Sequence, residues 1–366
     1  MKKNLLFAAL TLGLGFYAQD SMAQLFKLNV TNYGDGAGNA TFESFVDTEI
    51  AKIQTEINKD LPSAQPQRMM EGMANSSVMA GKGIGTDYAS NMNVFLIGAG
   101  VGVGADLEKD DTTDSDLSGV GVAPGLIVGM NLGFLNTKSL LNMDTDRLNL
   151  YLNFMKYGLN RTIDDDPEKK SEAELDMLAM GVHMRYDWIR GKGNKLLGWG
   201  GVKFHFGYEY NKTDLTFKST ISETVNETSS GGETISGTIN GSPTASIAVN
   251  THSIPLALST DVQLLYILSL YTGLGADFNF GQAKGDGSLN SSNSPVSCTG
   301  GICGTGTSVQ VRPEANIDAT GKVKSLLFRG FAGLQINLPY VRIFGQIDKS
   351  IGDDLIGATA GVRFVY

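Results

Sequence analysis

From about Met92 to the last residue, apolar and polar positions alternate in segments separated by turns and polar loops. The clearest segment sends Leu178, Met180, Val182, Met184, Tyr186 and Trp188 to one side, and Ala179, Gly181, His183, Arg185 and Asp187 to the other. The next repeats it, with Val202, Phe204, Phe206, Tyr208 and Tyr210 set against Lys203, His205, Gly207 and Glu209. A repeat of two is that of a β-strand, whose successive side chains go to opposite faces. Residues 92–106 place Phe95, Ile97, Val101 and Val103 opposite Gly98, Gly100, Gly102 and Gly104. Further strands are predicted over 118–132, 148–154, 212–225, 245–261, 268–282, 319–338, 341–348 and 355–366.

The pattern predicts an all-β chain, a transmembrane antiparallel barrel of roughly ten to twelve strands over residues 92–366. Tyr and Trp fall toward the ends of the apolar rows, where a lipid-facing strand crosses the membrane interface. The opposite rows, with His183, Arg185, Asp187, Lys203, His205 and Glu209, read as the polar lining of a solvated lumen. Tight connections are expected near Gly191–Lys195 and Leu338–Tyr340, and long ones over 159–172, 222–244 and 283–316. Short turns on one side and long loops on the other give the barrel an orientation. The chain ends on an apolar row of Ile356, Ala358, Ala360, Val362, Phe364 and Tyr366, which resembles the terminal strand read by the outer-membrane assembly machinery.

The start of the chain is different. Lys2 and Lys3, an apolar run from Leu5 to Tyr17 and the small-residue site Ser21-Met22-Ala23 read as a cleavable secretory signal over residues 1–23. In residues 24–91, Phe42, Phe45, Val46, Ile50, Ile53 and Ile57 recur at helical spacing until Pro62 stops the pattern. A second short helix around Gln67–Met79 carries Met69, Met70 and Met73. These amphipathic helices plug the lumen, lie at the rim or contact neighbouring protomers, and the row Gly98, Gly100, Gly102 and Gly104 is a candidate surface for a closely packed helix or chain.

After the signal there is no run of about 18 apolar residues, so any crossing of the membrane must be made by paired strands. The formal net charge is −9, and signal cleavage makes it one more negative, which argues against a nucleic-acid partner. Cys298 and Cys303, in a Ser/Gly-rich stretch of an exported chain, are expected to form a small disulfide.

Candidate chemistry is sparse. Gly81-Lys82-Gly83-Ile84-Gly85 lacks the phosphate-loop spacing, and the alternating glycines run through a strand instead of opening a helix. With a turn centred near Lys192–Gly193, His183 and His205 lie roughly opposite one another, but with no third ligand and no obvious nucleophile placed with them. The acidic stretches Asp106–Asp116 and Asp164–Glu168 lack the spacing of a calcium loop and read as solvated. No catalytic, cofactor-binding or metal-binding residue is assigned, and the chain is read as a non-enzyme.

The stretches MEGMANSSVMAGKGIGTDYASNMNVFLIGAGVGVGAD (71–106) and FAGLQINLPYVRIFGQIDKSIGDDLIGATAGVRFVY (331–366) resemble a porin-like outer-membrane family that includes the major outer-membrane protein of bacterial predators and related spirochaete surface proteins. The resemblance implies a homo-oligomeric ring of about four to six protomers enclosing membrane lipid. The expectation is therefore a porin-like protein of a Gram-negative outer membrane, enclosing lipid or passing small solutes. The alternatives are a surface adhesin or receptor acting through the long loops, and a barrel hydrolase using the inward histidines.

Overall fold

The computed structural model describes residues 26–34, 39–59, 66–89, 94–109, 115–135, 144–164, 171–193, 196–228, 232, 234–291, 294–299 and 307–366. The expected signal segment lies outside them, as do Cys303 and the side chains of Cys298, Ile53 and Ile57, so the expected disulfide does too.

The elements run β1 (Phe26–Asn32), α1 (Ala40–Lys59), α2 (Pro66–Ala80), β2 (Phe95–Lys109), β3 (Ser115–Asn131), β4 (Leu148–Asp164), β5 (Ser171–Gly193), β6 (Leu197–Ser219) and β7 (Ile221–Thr228). They continue with β8 (Thr234–Leu264), β9 (Leu268–Asn290), β10 (Ser294–Thr299), β11 (Thr307–Lys322), β12 (Leu326–Asn337), β13 (Val341–Ser350) and β14 (Leu355–Val365). Following the pairings β2-β3-β4-β5-β6-β8-β9-β12-β13-β14 returns to β2, so ten strands of one chain close a barrel. Every pairing is antiparallel, and closure leaves that ring without a sheet edge. The last strand makes the closure, Val362 facing Ala99 and Phe364 facing Ile97 across β2.

The apolar rows are on the outside. Phe154 is 55% exposed, Leu274 64% and Ile347 66%, while Lys203 and Asp277 on the inner face have no exposure at all. A wall that is apolar outward and charged inward is the inverse of a soluble sandwich, and hydrocarbon is the solvent that suits it. Trp188, Trp199, Tyr266, Tyr340 and Tyr366 are exposed at the end carrying the tight turns.

The upper ends of β4, β5, β6, β8 and β9 run well past the membrane belt. β8 alone has 31 residues, roughly 100 Å of extended chain. The boundary is a row of directly paired outward residues, Phe154, Met180, Tyr210, His252 and Phe280. Past it the alternation keeps its phase but swaps polarity. Lys212, Asp214 and Lys218 now face out, and Ile247, Val249, Ala283 and partly buried Leu215 face in, against α2. The pleat is unchanged; only what lies on either side of the sheet has changed.

That swap corrects three expectations. The expected break between Tyr210 and Lys212 is absent: β6 runs unbroken to Ser219, and β7 begins at Ile221. The predicted long loops at 159–172, 222–244 and 283–316 contain ends of β4, β5, β8, β9 and β11, all of β7 but its first residue, and the whole of β10. Residues 319–338 are divided, because β9 pairs through Phe278 with β12 and from Gln282 onward with β11. The N-terminal segment also holds a strand: β1 pairs with β11, and Phe42, Val46 and Ile50 of α1 pack with Val296, Val309 and Val311, with Phe45 at the margin. The apolar stripe of α1, a candidate oligomer contact by sequence, is thus covered by its own chain over its described side chains.

Candidate functional site in the barrel lumen

Eight strands already give a barrel that side chains alone can fill. Ten leave room for more, and α2 with the irregular strap that follows it, residues 81–89, takes that room. Gly102 and Gly104 on β2 face the lumen, and a Cβ at either would overlap the backbone of Ala80 or Ser76. On β3, Gly119 and Gly121 meet the same helix at Gly72 and at Ser76–Ser77. Gly98 lies against Arg363 instead, and Gly100 against the backbone of Ala360. Ser76 donates its hydroxyl to the carbonyl of Gly119 at 2.9 Å, and Ser77 Oγ lies 3.4 Å from Thr251 Oγ1.

Irregular backbone inside a membrane must have every carbonyl satisfied by protein, and the inner wall does this for the strap. Thr359 donates to the carbonyl of Lys82 at 2.5 Å. Arg363 donates to those of Gly83 at 3.3 Å and Thr86 at 2.6 Å. Arg185 reaches that of Asp87 at 2.8 Å, and Lys203 that of Tyr88 at 3.0 Å. The inward cations that the sequence assigns to a solvated lumen therefore hold the strap.

The strap contributes charges of its own. Lys82 Nζ lies 2.7 Å from Glu209, 3.5 Å from Asp277 and 2.8 Å from Ser253 Oγ. Asp87 is 3.3 Å from Arg363. Around them the wall pairs Arg329 with Asp277 at 2.9 Å and with Asp348 at 2.6 Å, Arg185 with Asp187 at 3.2 Å, and Lys203 with Asp261 at 2.5 Å. Tyr88 fills the middle, its ring 4.6 Å from those of His205 and Phe331 and 5.8 Å from that of Tyr271. Asn149, Lys203, Ser269, Asp277, Gln335 and Asp348 all have no exposure, so the lining around α2 and the strap is closed to solvent at these positions. A cavity of 480 Å³ at the short-turn end, lined by Arg190, Lys192, Asp187 and Arg342, reaches inward to Ala89 and Arg185.

His183 and His205 both point inward and are buried, but they are not opposite. His183 faces Gly207 and His205 faces Arg185, because the turn lies nearer Leu196 than expected and a register shift falls between Asp187 and Ile189. His205 Nε2 is 2.7 Å from Ser259 Oγ, a nucleophile and base pairing that local sequence does not disclose, the two being 54 positions apart. Among the described residues its Nδ1 has no hydrogen-bond partner, and the Tyr88 ring packs against it. His183 Nε2 stands 3.8 Å from Glu209. Among the described residues no three His, Cys, Asp or Glu side chains converge as a metal site.

The lumen residues assigned from sequence run only from His183 to Glu209, and Lys82, Asp87, Tyr88, Asp261, Asp277, Arg329, Asp348 and Arg363 join them in the structure. Four of these are lone charges in the inward rows of β8, β9, β12 and β14, and Asp348 shares that of β13 with Arg342, a signal the alternation carries. Ile356, Ala358, Ala360, Val362, Phe364 and Tyr366 sit on the outward face of β14 and just beyond it.

The profile of a family described as Lsa36-like matches residues 23–366, and the chain belongs to that family. No curated protein matches the sequence. Among solved structures, the transport unit of the autotransporter AIDA-I from Escherichia coli is 11% identical, with 82% of this chain and 100% of that one covered and a TM-score of 0.32. The outer membrane protease OmpT from Escherichia coli is 7% identical, covering 75% and 98% with a TM-score of 0.32. The Ralstonia pickettii toluene transporter TbuX is 8% identical, covering 81% and 99% with a TM-score of 0.24.

Proposed function

We propose that this Lsa36-like chain uses its barrel as an outer-membrane anchor, not as a conduit, and that the wall rising beyond the membrane is a surface that binds other molecules. The observation that supports it is the filled lumen, in which inward side chains are buried against α2 and the strap. The short β5–β6, β8–β9 and β12–β13 connections lie with the chain end at one end of the barrel, which by the usual asymmetry faces the periplasm. The extended wall then faces outward, with β1, β7, β10, β11 and α1 at its top. The two stretches that resemble the porin-like family of bacterial predators are the plug with β2 and the closing strands with β13 and β14. A ring of such chains would hold lipid between closed barrels, each sealed by its own strap.

Two measurements test this. In planar bilayers the intact chain is expected to give no conductance steps, and cells displaying it are expected to bind immobilised host or neighbouring-cell surface proteins. Removing residues 221–241, the β7 hairpin, should abolish that binding while leaving the folded band in a heat-modifiability gel. Discrete channel steps from the intact chain, or undiminished binding without the hairpin, would overturn the reading.

A further inference from the structure

The wall carries a second feature at the membrane boundary, and it depends only on the barrel spanning a bilayer. One outward position beyond the row Phe154, Met180, Tyr210, His252 and Phe280 lies the row Lys156, Leu178, Lys212, Asn250, Gln282 and Lys322. Each is the direct cross-strand partner of the next. It holds three cations, two amides and no carboxylate. Carboxylates return only in the next outward positions, with Asp176 and Asp214.

Adjacent strands are about 4.8 Å apart, so the row spans roughly 24 Å and Lys156 and Lys212 flank Leu178 about 10 Å apart. The row below it is aromatic apart from Met180 and is tied to the next one down: Tyr208 Oη is 2.7 Å from His252 Nδ1, and the His252 ring stacks on Phe280 with centroids 4.8 Å apart. Aromatic side chains of this kind sit at headgroup level. Ammonium and amide donors immediately beyond them meet the plane of lipid phosphates, where each added cation raises affinity for an anionic surface. Lys212 is paired with Asp214 at 2.7 Å and is 46% exposed, which leaves ammonium protons open to a phosphate.

We propose that Lys156, Lys212, Asn250, Gln282 and Lys322 form a binding strip for the anionic headgroups of the surrounding leaflet, holding phosphate-bearing lipid against β4, β5, β6, β8, β9 and β11. The test uses the full chain in nanodiscs of equal phosphatidylglycerol and phosphatidylcholine, extracted into detergent, with retained lipids counted by native mass spectrometry. The parent chain should retain phosphatidylglycerol preferentially. K156Q/K212Q/K322Q should lower that preference about tenfold, whereas Lys284→Gln, in the row beyond, should not change it. If the triple variant fails the heat-modifiability test, Lys212→Gln alone is read, with a loss of about two- to threefold expected. No preference in the parent chain, an unchanged preference in the folded triple variant, or an equal fall in Lys284→Gln would overturn the proposal.

Discussion

A chain lacking residues 66–89 should conduct ions in planar bilayers, where the intact chain should not. Those residues fill the barrel through α2 and the strap, and nothing in the strand pairings depends on them. Their removal leaves Arg185, Lys203, Glu209, Asp277, Arg329 and Arg363 around a ten-stranded opening that water would enter, and ions with it. Should the shortened chain fail to assemble, Gly104→Val asks the same question with the strap present. Its side chain would enter the space of the Ser76 carbonyl, and overpacking of this kind costs about 1–3 kcal/mol. Backbone on both sides cannot yield as a side-chain tip would, so the helix must move away from β2 or the barrel must distort. Intermittent conductance and faster proteolysis within 66–89 are the expected readouts. A silent, protease-resistant Gly104→Val barrel would mean that the helix does not lie against β2.

The second large effect is expected at Lys82. Its ammonium is the strap's contribution to a buried group that also contains Glu209, Asp277 and Arg329, all nearly without exposure. Lys82→Met keeps the volume and removes the charge, leaving Glu209 among the described residues with only the His183 ring, at 3.8 Å, within ion-pair distance. Removing one partner of a buried pair costs about 3–5 kcal/mol, mostly the penalty of the stranded charge. The measurement is the urea midpoint of the folded band in lipid vesicles. Lys284→Met, outward and solvated, should stay within about 0.5 kcal/mol of the parent. Equal midpoints for the two variants would place Lys82 in water and the strap outside the lumen.

Much of the barrel was legible because a lipid-facing strand must alternate. Leu178–Trp188, Val202–Tyr210 and Ile356–Tyr366 sit where that alternation puts them, and the tight turns at Leu338–Tyr340 and next to Gly193 follow from a proline and from a Gly- and Lys-rich break. The pattern became misleading where the bilayer stops. At Tyr210 and Phe280 the apolar parity moves from even to odd positions, and a rule that equates apolar with outward reads the change as a loop. The β8–β9 turn falls between the predicted strands 245–261 and 268–282 but is not marked as tight, because Leu265 and Tyr266 occupy positive φ, at 51° and 59°, without the Asn or Gly that usually signals such a turn. Occupation of the lumen left a trace in the glycines of β2 and β3, which pointed to close approach of a helix without saying which helix. Partner identity across the barrel, such as Lys82 with Glu209 or His205 with Ser259, depends on register and closure, and neither is a local property of the chain.

The central claim is that α2 lies inside a barrel closed by its own chain. Disulfide trapping tests it most directly, using Ser77→Cys with Thr251→Cys in a background where Cys298 and Cys303 are Ser. The parent oxygens are 3.4 Å apart across the lumen. The predicted result is near-complete cross-linking in the folded, membrane-inserted chain, with both thiols closed to a maleimide. A folded chain whose two thiols remain separately reactive and uncrosslinked would contradict it.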